Sequence, residues 1–302
     1  MDKFIVKACP QCSGTHLKHV MTCTDFYASG EQFELHSCED CQFTFTQAFP
    51  TGADMDRYYE SSDYISHSDT KKGIMNSVYH RVRKYMLGRK ARLVTKEARR
   101  TSGKLLDIGT GTGYFATTMA KRGWEIEAIE KNAQARAFAK ERFNLDVRPE
   151  TDLSVFKPDS FDVITLWHVM EHLENLNETW DRLFELLTDK GILIIAVPNR
   201  ASYDAEKYGA NWAAYDVPRH LWHFTPGTIQ QFGSKHGFIM AERYPMPFDA
   251  FYVSMLSEKN MKRGLAFVRG LYTGLLAWFS ALARKERSSS MIYVFRKKRN
   301  EK

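Results

Sequence analysis

KLLDIGTGTGYFA, residues 104–116, decides how the rest of the chain is read. A short apolar run ends in an acid, Asp107, and then meets glycines at alternate positions, Gly109, Gly111 and Gly113. This pattern predicts a buried strand whose end presents a nucleotide-type cofactor site, because glycine lets the backbone approach a ligand closely. A dinucleotide fingerprint would need a glycine at 114, where this chain has Tyr114. A carboxylate beside the turn repels a pyrophosphate but suits a ligand with an ammonium and a sulfonium, as in S-adenosylmethionine. Glu130 ends the next predicted strand, 23 residues after Asp107, where an acid can accept both ribose hydroxyls. That spacing also occurs in dinucleotide enzymes, so Glu130 alone does not discriminate.

Outward from this stretch the pattern alternates. Residues 74–93 carry Ile74, Val78, Val82, Met86 and Leu93 near helical spacing. Strands are predicted over 104–108, 125–130, 161–167, 192–197, 238–244 and 291–295. Helices are predicted over 114–122, 133–143, 171–187 and 226–236, the last capped by Thr225. Such alternation predicts an α/β fold with a doubly wound parallel sheet, and ligands bind beyond the carboxyl ends of its strands.

Asp107–Gly113, Glu130 and FDVITLWHVMEHL (161–173), with its Glu171-His172 pair, resemble class I S-adenosylmethionine-dependent methyltransferases over about residues 75–300. The resemblance implies a seven-stranded Rossmann-like sheet whose last strand runs antiparallel, and S-adenosylmethionine as cofactor. It implies that Gly109 and Gly111 line the methionine part, with Asp107, Thr110, Gly113 and Tyr114 in the same motif. Glu130 and Lys131 would lie at the ribose, Thr151 and Asp152 beside the adenine, and Trp167 and His168 near the cofactor.

All five cysteines fall in the first 41 residues, four of them as Cys9-Pro-Gln-Cys12 and Cys38-Glu-Asp-Cys41. Two such knuckles complete a tetrahedral thiolate site suited to structural zinc, with strand-like 33–35 and 42–45 forming a ribbon. Cys23 is left as a buried free thiol. Residues 1–50 hold three Lys against six Asp/Glu, so the head repels a phosphate backbone and nucleic acid is not its expected partner. The expected layout is a zinc ribbon over 1–50, a linker with helices over 51–100, and a methyltransferase domain over 101–302.

The strand ending at Val197 leads into 198–226, which is expected to lie over the substrate. His220 and His168 are the candidate bases for an acceptor proton, while His172 falls inside a predicted helix. Val217-Pro-Arg-His220-Leu-Trp-His223-Phe is similar to a Tyr-His-Glu-His-Leu-Ser-Tyr-Phe-like stretch of zinc-headed sugar C-methyltransferases. Their proposed base falls on His220, but their Tyr and Glu fall on Val217 and Arg219. Their long C-terminal domain is not expected here.

Formal net charge is +7, with twelve basic residues in 255–302 and twelve in 71–104. Within the insert 248–290, Leu265–Leu282 is almost wholly apolar, with basic residues at both ends of 262–287. It is expected either to cap the domain as a buried helix or to touch anionic membrane, and either way it favours a hydrophobic or lipid-linked acceptor, within an expected range of small-molecule, saccharide or lipid-linked substrates. The N-terminus shows no apolar signal segment, so a cytoplasmic protein is expected, with peripheral contact at the inner membrane face in the second case. An RNA methyltransferase and a non-catalytic S-adenosylmethionine-binding module are the alternative readings. The sequence carries no sign of oligomeric state.

Overall fold

The computed structural model describes residues 3–59, 74–149 and 153–298, with side chains of 74–80 outside that description. The head opens with β1 (Lys3–Phe4), continues through β2 (Leu17–Thr24), β3 (Gln32–Cys38) and β4 (Thr44–Thr46), and returns to pair with β1 through β5 (Phe49–Pro50). In β3 the alternating positions Phe33 and Leu35 turn inward, as a half-buried strand requires. The sequence reading missed β2, whose polar LKHVMTCT lacks a sustained apolar alternation.

A short turn α1 (Ala53–Asp56) precedes α2 (Ile74–Ala98). The main domain then alternates β6 (Gly103–Ile108), α3 (Tyr114–Ala120), β7 (Trp124–Ile129), α4 (Ala133–Phe143), β8 (Phe161–Trp167), α5 (Leu176–Leu186) and β9 (Leu187–Pro198). It continues through α6 (Tyr203–Tyr208), β10 (Trp222–His223), α7 (Pro226–Lys235), β11 (Phe238–Pro245), α8 (Asp249–Asn260), α9 (Ala266–Ala283) and β12 (Ser290–Lys297). The central sheet runs β7-β6-β8-β9-β12-β11. Its first four strands are mutually parallel, and β12 is antiparallel to both neighbours. Val163–Leu166 and Ile192–Val197 are buried along their whole length, as expected of strands covered by helices on both faces.

Of the seven expected strands, six form among the described residues. The seventh shrinks to one parallel bridge, Arg148 beside Ile129, held by Arg148 N–H to the Ala128 carbonyl at 2.9 Å and Glu130 N–H to the Arg148 carbonyl at 3.0 Å. Pro149 follows at once and has no N–H to extend the ladder. The helix expected from Glu171 begins at Leu176, and residues 170–172 form a separate tight turn. The cause is tertiary: the Trp222 indole N–H takes the Leu173 carbonyl at 2.6 Å. In α2 the expected stripe is buried only in part among the described residues. Ile74 and Val78 lie outside the described side chains; among the rest Val82 is 52% exposed, Leu93 packs partly on the core, and full burial falls on Ala91, Val94 and Glu97. Thr225 caps α7 as read, with Pro226 at its first turn.

The insert folds as the helical hairpin α8–α9. Gly270, Thr273, Gly274, Ala277 and Ala281 are buried, Gly270 and Gly274 against α8 and Thr273 against Lys207 of α6, and glycine is required at the first: a Cβ on Gly270 would meet the Met255 backbone at 2.6 Å. Phe267, Leu271, Tyr272, Leu275, Phe279 and Leu282 of α9 are exposed, so α9 is not a buried cap.

Candidate functional site

The glycine turn connects β6 to α3. Gly109 has φ 67°, and the Val169 side chain fills the space its Cβ would take; Gly111 has φ 56° and opens onto empty space. One loop position therefore packs against the protein while the next faces outward, free of side chain. Asp107 is buried and accepts from the Thr110 hydroxyl at 2.7 Å and the Thr165 hydroxyl at 2.6 Å. Burial pushes its carboxyl up to about 6, against the opposing pull of those hydroxyls and of Lys90. Glu130 spans the turn, accepting from Gly111 N–H at 2.8 Å and Asn132 N–H at 2.9 Å. Gly113 caps α3, and the Tyr114 ring packs edge-on against Phe143 and under the Arg83 guanidinium. Lys131 is drawn to the linker, 3.0 Å from Asp56 and over the Tyr59 ring. Trp167 meets Phe115 edge-on, with Lys90 Nζ 4.2 Å above its ring. Thr151 and Asp152 lie outside the described residues.

Lys90 was not singled out from the sequence. It sits in a strongly basic helix that reads as solvated. Burial depresses its ammonium, while Asp249 and Asp107 oppose that loss. The usable signal was its place beside Ala91, on the turns that pack.

Four imidazoles gather where the β8 and β9 ends meet the segment before β10. His168 lies at φ 59°, a costly conformation for a non-glycine residue. Its Nδ1 is 3.4 Å from Glu171 and its Nε2 3.5 Å from Asp249, the first residue of α8. Burial would lower its basicity, but the two carboxylates outweigh this and push it up to about 9. His172 donates Nδ1–H to the Arg219 carbonyl at 3.0 Å, and burial pushes it down to about 4. His220 donates Nδ1–H to the Ala214 carbonyl at 2.9 Å. The His172 and His220 rings meet edge-to-face, centroids 4.5 Å apart. His223 is fully enclosed, its ring nitrogen 3.0 Å from the Thr46 hydroxyl, and burial holds it neutral.

Arg219, noted in the sequence only as a departure, is 2% exposed and ties the head to this cluster. It donates to Asp25 of the head at 2.9 Å, to both Asp216 oxygens at 2.6 and 3.0 Å, and to the Tyr58 carbonyl at 3.1 Å. In the head itself, the four cysteine sulfurs lie within 4.8 Å of one another, with Cys9–Cys41 and Cys12–Cys38 at 3.5 Å. A disulfide would bring sulfurs to about 2 Å. Thiolates ~2.3 Å from a shared tetrahedral zinc stand roughly 3.8 Å apart, so the donor set fits that ion. Cys23 is buried apart from them.

A profile for a methyltransferase domain matches residues 78–242. A ubiquinone biosynthesis O-methyltransferase of Rhodopseudomonas palustris (strain HaA2) is 26% identical over 157 residues, 48% of this chain and 62% of that protein. One from Caulobacter sp. (strain K31) is 31% identical over 130 residues, 39% of this chain and 52% of that protein. The chain thus spans less than two thirds of the length of these curated relatives. Among solved structures, a phosphoethanolamine N-methyltransferase 2 of Haemonchus contortus in complex with S-adenosyl-L-methionine aligns with a TM-score of 0.52 at 17% identity, covering 85% of this chain and 63% of that one. A geranyl diphosphate C-methyltransferase of Streptomyces coelicolor A3(2) aligns at 0.51 and 11% identity, covering 79% and 86%. Both show a shared fold.

Proposed function

The chain belongs to the methyltransferase-domain family, and from that premise we propose that it moves a methyl group from S-adenosylmethionine to an oxygen or carbon of a small-molecule, saccharide or lipid-linked acceptor. The observation that carries this reading is the glycine turn held between two carboxylates, Asp107 and Glu130, with its Gly111 side open. When bound, S-adenosylmethionine supplies a methyl already activated on a sulfonium. Asp107 faces the cationic end, Glu130 is placed for the ribose hydroxyls, and Lys90 stands near Asp107 for the carboxylate of the methionine part. His220 and His168 are the residues assigned to take the acceptor's proton. Relatives named for O-methylation support a hydroxyl acceptor.

The test is labelled S-adenosylmethionine incubated with the chain and fractionated cell extract. Label entering lipid, glycan or small aqueous metabolites supports the reading, and His220→Ala should then lower turnover at least ~100-fold, the low end for a general base. No transferred label, with calorimetry showing no cofactor binding, would remove it.

A peripheral membrane contact through 262–287 is favoured by one further observation. Phe267, Val268, Leu271, Tyr272, Leu275, Phe279 and Leu282 are all exposed on α9, flanked by the exposed cations Lys262, Arg263, Arg284 and Lys285. Two copies meeting through this face would set like charges together, whereas anionic headgroups complement them. Flotation on anionic vesicles should fade with salt and with Leu275→Asp. No flotation at low salt removes this part.

A further inference from the structure

We propose that the notch between α6, α8 and α9 holds the terminal phosphate of a membrane lipid, through Lys207 and Arg269. The proposal rests on the membrane contact inferred above and names the headgroup that this contact reads. A cavity of about 410 Å3 lies there, lined by Lys207, Glu258, Val268, Arg269, Tyr272 and Thr273. Its size falls in the range of ligand sites, ~300–1,000 Å3. It is separate from the cofactor turn. Asp249, the α8 residue that reaches His168, lies roughly 14 Å back along the helix from Glu258.

Charge is the first observation. Lys207, in the last turn of α6, gives its ammonium only to neutral groups among the described residues. Its Nζ donates to the Thr273 hydroxyl at 2.8 Å and stands 5.8 Å from the centre of the Tyr272 ring. The neighbouring carboxylate, Glu206, is taken by Arg287 at 2.7 Å. Arg269 has its Nε 3.2 Å from one oxygen of Glu258, whose other oxygen accepts from the Tyr208 hydroxyl at 3.2 Å. Glu258 is the one carboxylate among the lining residues, so the cavity keeps one unbalanced positive charge. The Arg269 side chain is 48% exposed, and its two terminal nitrogens have no partner among the described residues.

Placement is the second. Val268, Leu271, Tyr272, Leu275, Phe279 and Leu282 recur at three- and four-residue spacing along α9 and are all exposed. Val268 and Tyr272 belong both to this stripe and to the cavity wall. Arg269 and Thr273 each follow one of them by a single position, ~100° round the helix. The cations therefore stand at the flank of the stripe. With the stripe immersed, Lys207 and Arg269 lie at headgroup depth. A guanidinium takes two phosphate oxygens in parallel, and an ammonium takes a third as a point charge. A terminal phosphate offers three free oxygens and a charge of about −1.5 to −2 near pH 7. A phosphodiester offers two oxygens and a single charge. The pair thus favours a lipid that ends in phosphate over one whose phosphate is capped.

The full chain is floated on phosphatidylcholine vesicles containing either phosphatidic acid or phosphatidylserine, the two adjusted to equal zeta potential. Partition onto phosphatidic acid should be at least ~5-fold stronger, the worth of one further cation contact at a membrane surface. Lys207→Gln and Arg269→Gln should each abolish that preference, with S-adenosylmethionine affinity kept. Arg263→Gln removes an exposed charge outside the cavity, so it should weaken both partitions alike and keep their ratio. Lys207→Gln gives up only a hydroxyl and a ring contact, and carries the test alone if Arg269→Gln, which strips Glu258 of its cation, fails to fold. Equal partition onto the two lipids, or a preference that survives Lys207→Gln, overturns the phosphate site and leaves the membrane contact standing. No flotation on either vesicle at low salt overturns both. Glycerol 3-phosphate that displaces the chain from phosphatidic acid below ~1 mM marks a site for a soluble phosphate and overturns the lipid assignment.

Discussion

Replacing Arg219 with Met should unfasten the head from the site. The guanidinium makes four hydrogen bonds, to Asp25, to the two Asp216 oxygens and to the Tyr58 carbonyl, and stacks 4.8 Å over the Tyr27 ring. Methionine matches its length and apolar stem, so the change removes charge and hydrogen bonds while leaving little cavity. Two carboxylates stay behind near the core, and removing one partner of a buried ion pair costs about 3–5 kcal/mol. At roughly 2–4 °C per kcal/mol for a chain of this class, the thermal midpoint should fall about 6–20 °C. Asp25→Asn should cost less, about 1.5–3 kcal/mol, because Asp216 still holds the guanidinium. Burial alone would raise the Asp25 carboxyl, but Arg219 and the Ser29 hydrogen bonds hold it below its ordinary 3.8. Its contribution is therefore present above pH 3.8 and is lost as pH falls through the lower folded value. Scanning calorimetry and urea titration on parent, Arg219→Met, Asp25→Asn and the double variant measure all of this. A midpoint for Arg219→Met within ~2 °C of the parent would refute the ion-pair anchor.

Cys9→Ser or Cys38→Ser should release the zinc counted by plasma mass spectrometry and expose the head to proteolysis; retained zinc in both would discard the four-thiolate site. Asp107, pushed up to about 6, is mostly ionised at pH 7 and mostly protonated at pH 5, so affinity for the cationic cofactor should drop about tenfold between them. Calorimetry checks this, and an equal drop in Asp107→Asn would assign the effect elsewhere. Glu130→Gln should weaken cofactor binding by about 1.5–3 kcal/mol, the worth of hydrogen bonds to a charged group. An unchanged dissociation constant would separate Glu130 from the ribose.

Much of the fold was legible because it follows periodicity. Each main-sheet strand read from its own apolar run appears, since buried strands such as Phe161–Trp167 and Ile192–Val197 are continuous apolar runs. What periodicity could not show depends on contacts distant in sequence. The Leu173 carbonyl is captured by Trp222, so one predicted helix starts late, at Leu176. Pro149 cuts the edge strand short, and the apolar stripe of α2 reads as buried where Val82 is 52% exposed. In the site, the glycine turn and Glu130 announce themselves by spacing. Lys90, Asp249 and Arg219 do not, because each works through a partner far along the chain.

The acidic head has a physical role that its charge alone did not suggest. Its strand β4 pairs with β10, Phe45 opposite Trp222 and Thr44 opposite His223, so the two modules share one sheet. The Thr46 hydroxyl donates to the His220 carbonyl at 2.7 Å, and Thr46 N–H to the Leu221 carbonyl at 2.8 Å. Phe43 packs on Trp222, Phe224 and Phe232. The backbone of His220 is thus fastened on one side by the ribbon. On the other, Leu221 N–H donates to the Glu171 carbonyl at 2.8 Å. A segment between α6 and α7 with no such clamp would leave the His220 ring free to swing, and a misplacement of 1 Å costs on the order of a hundredfold in rate. Loss of metal from the head should therefore reach the reaction through the position of His220, lowering turnover more than cofactor affinity. Were the head only a tether, stripping its zinc would leave turnover of the folded remainder intact.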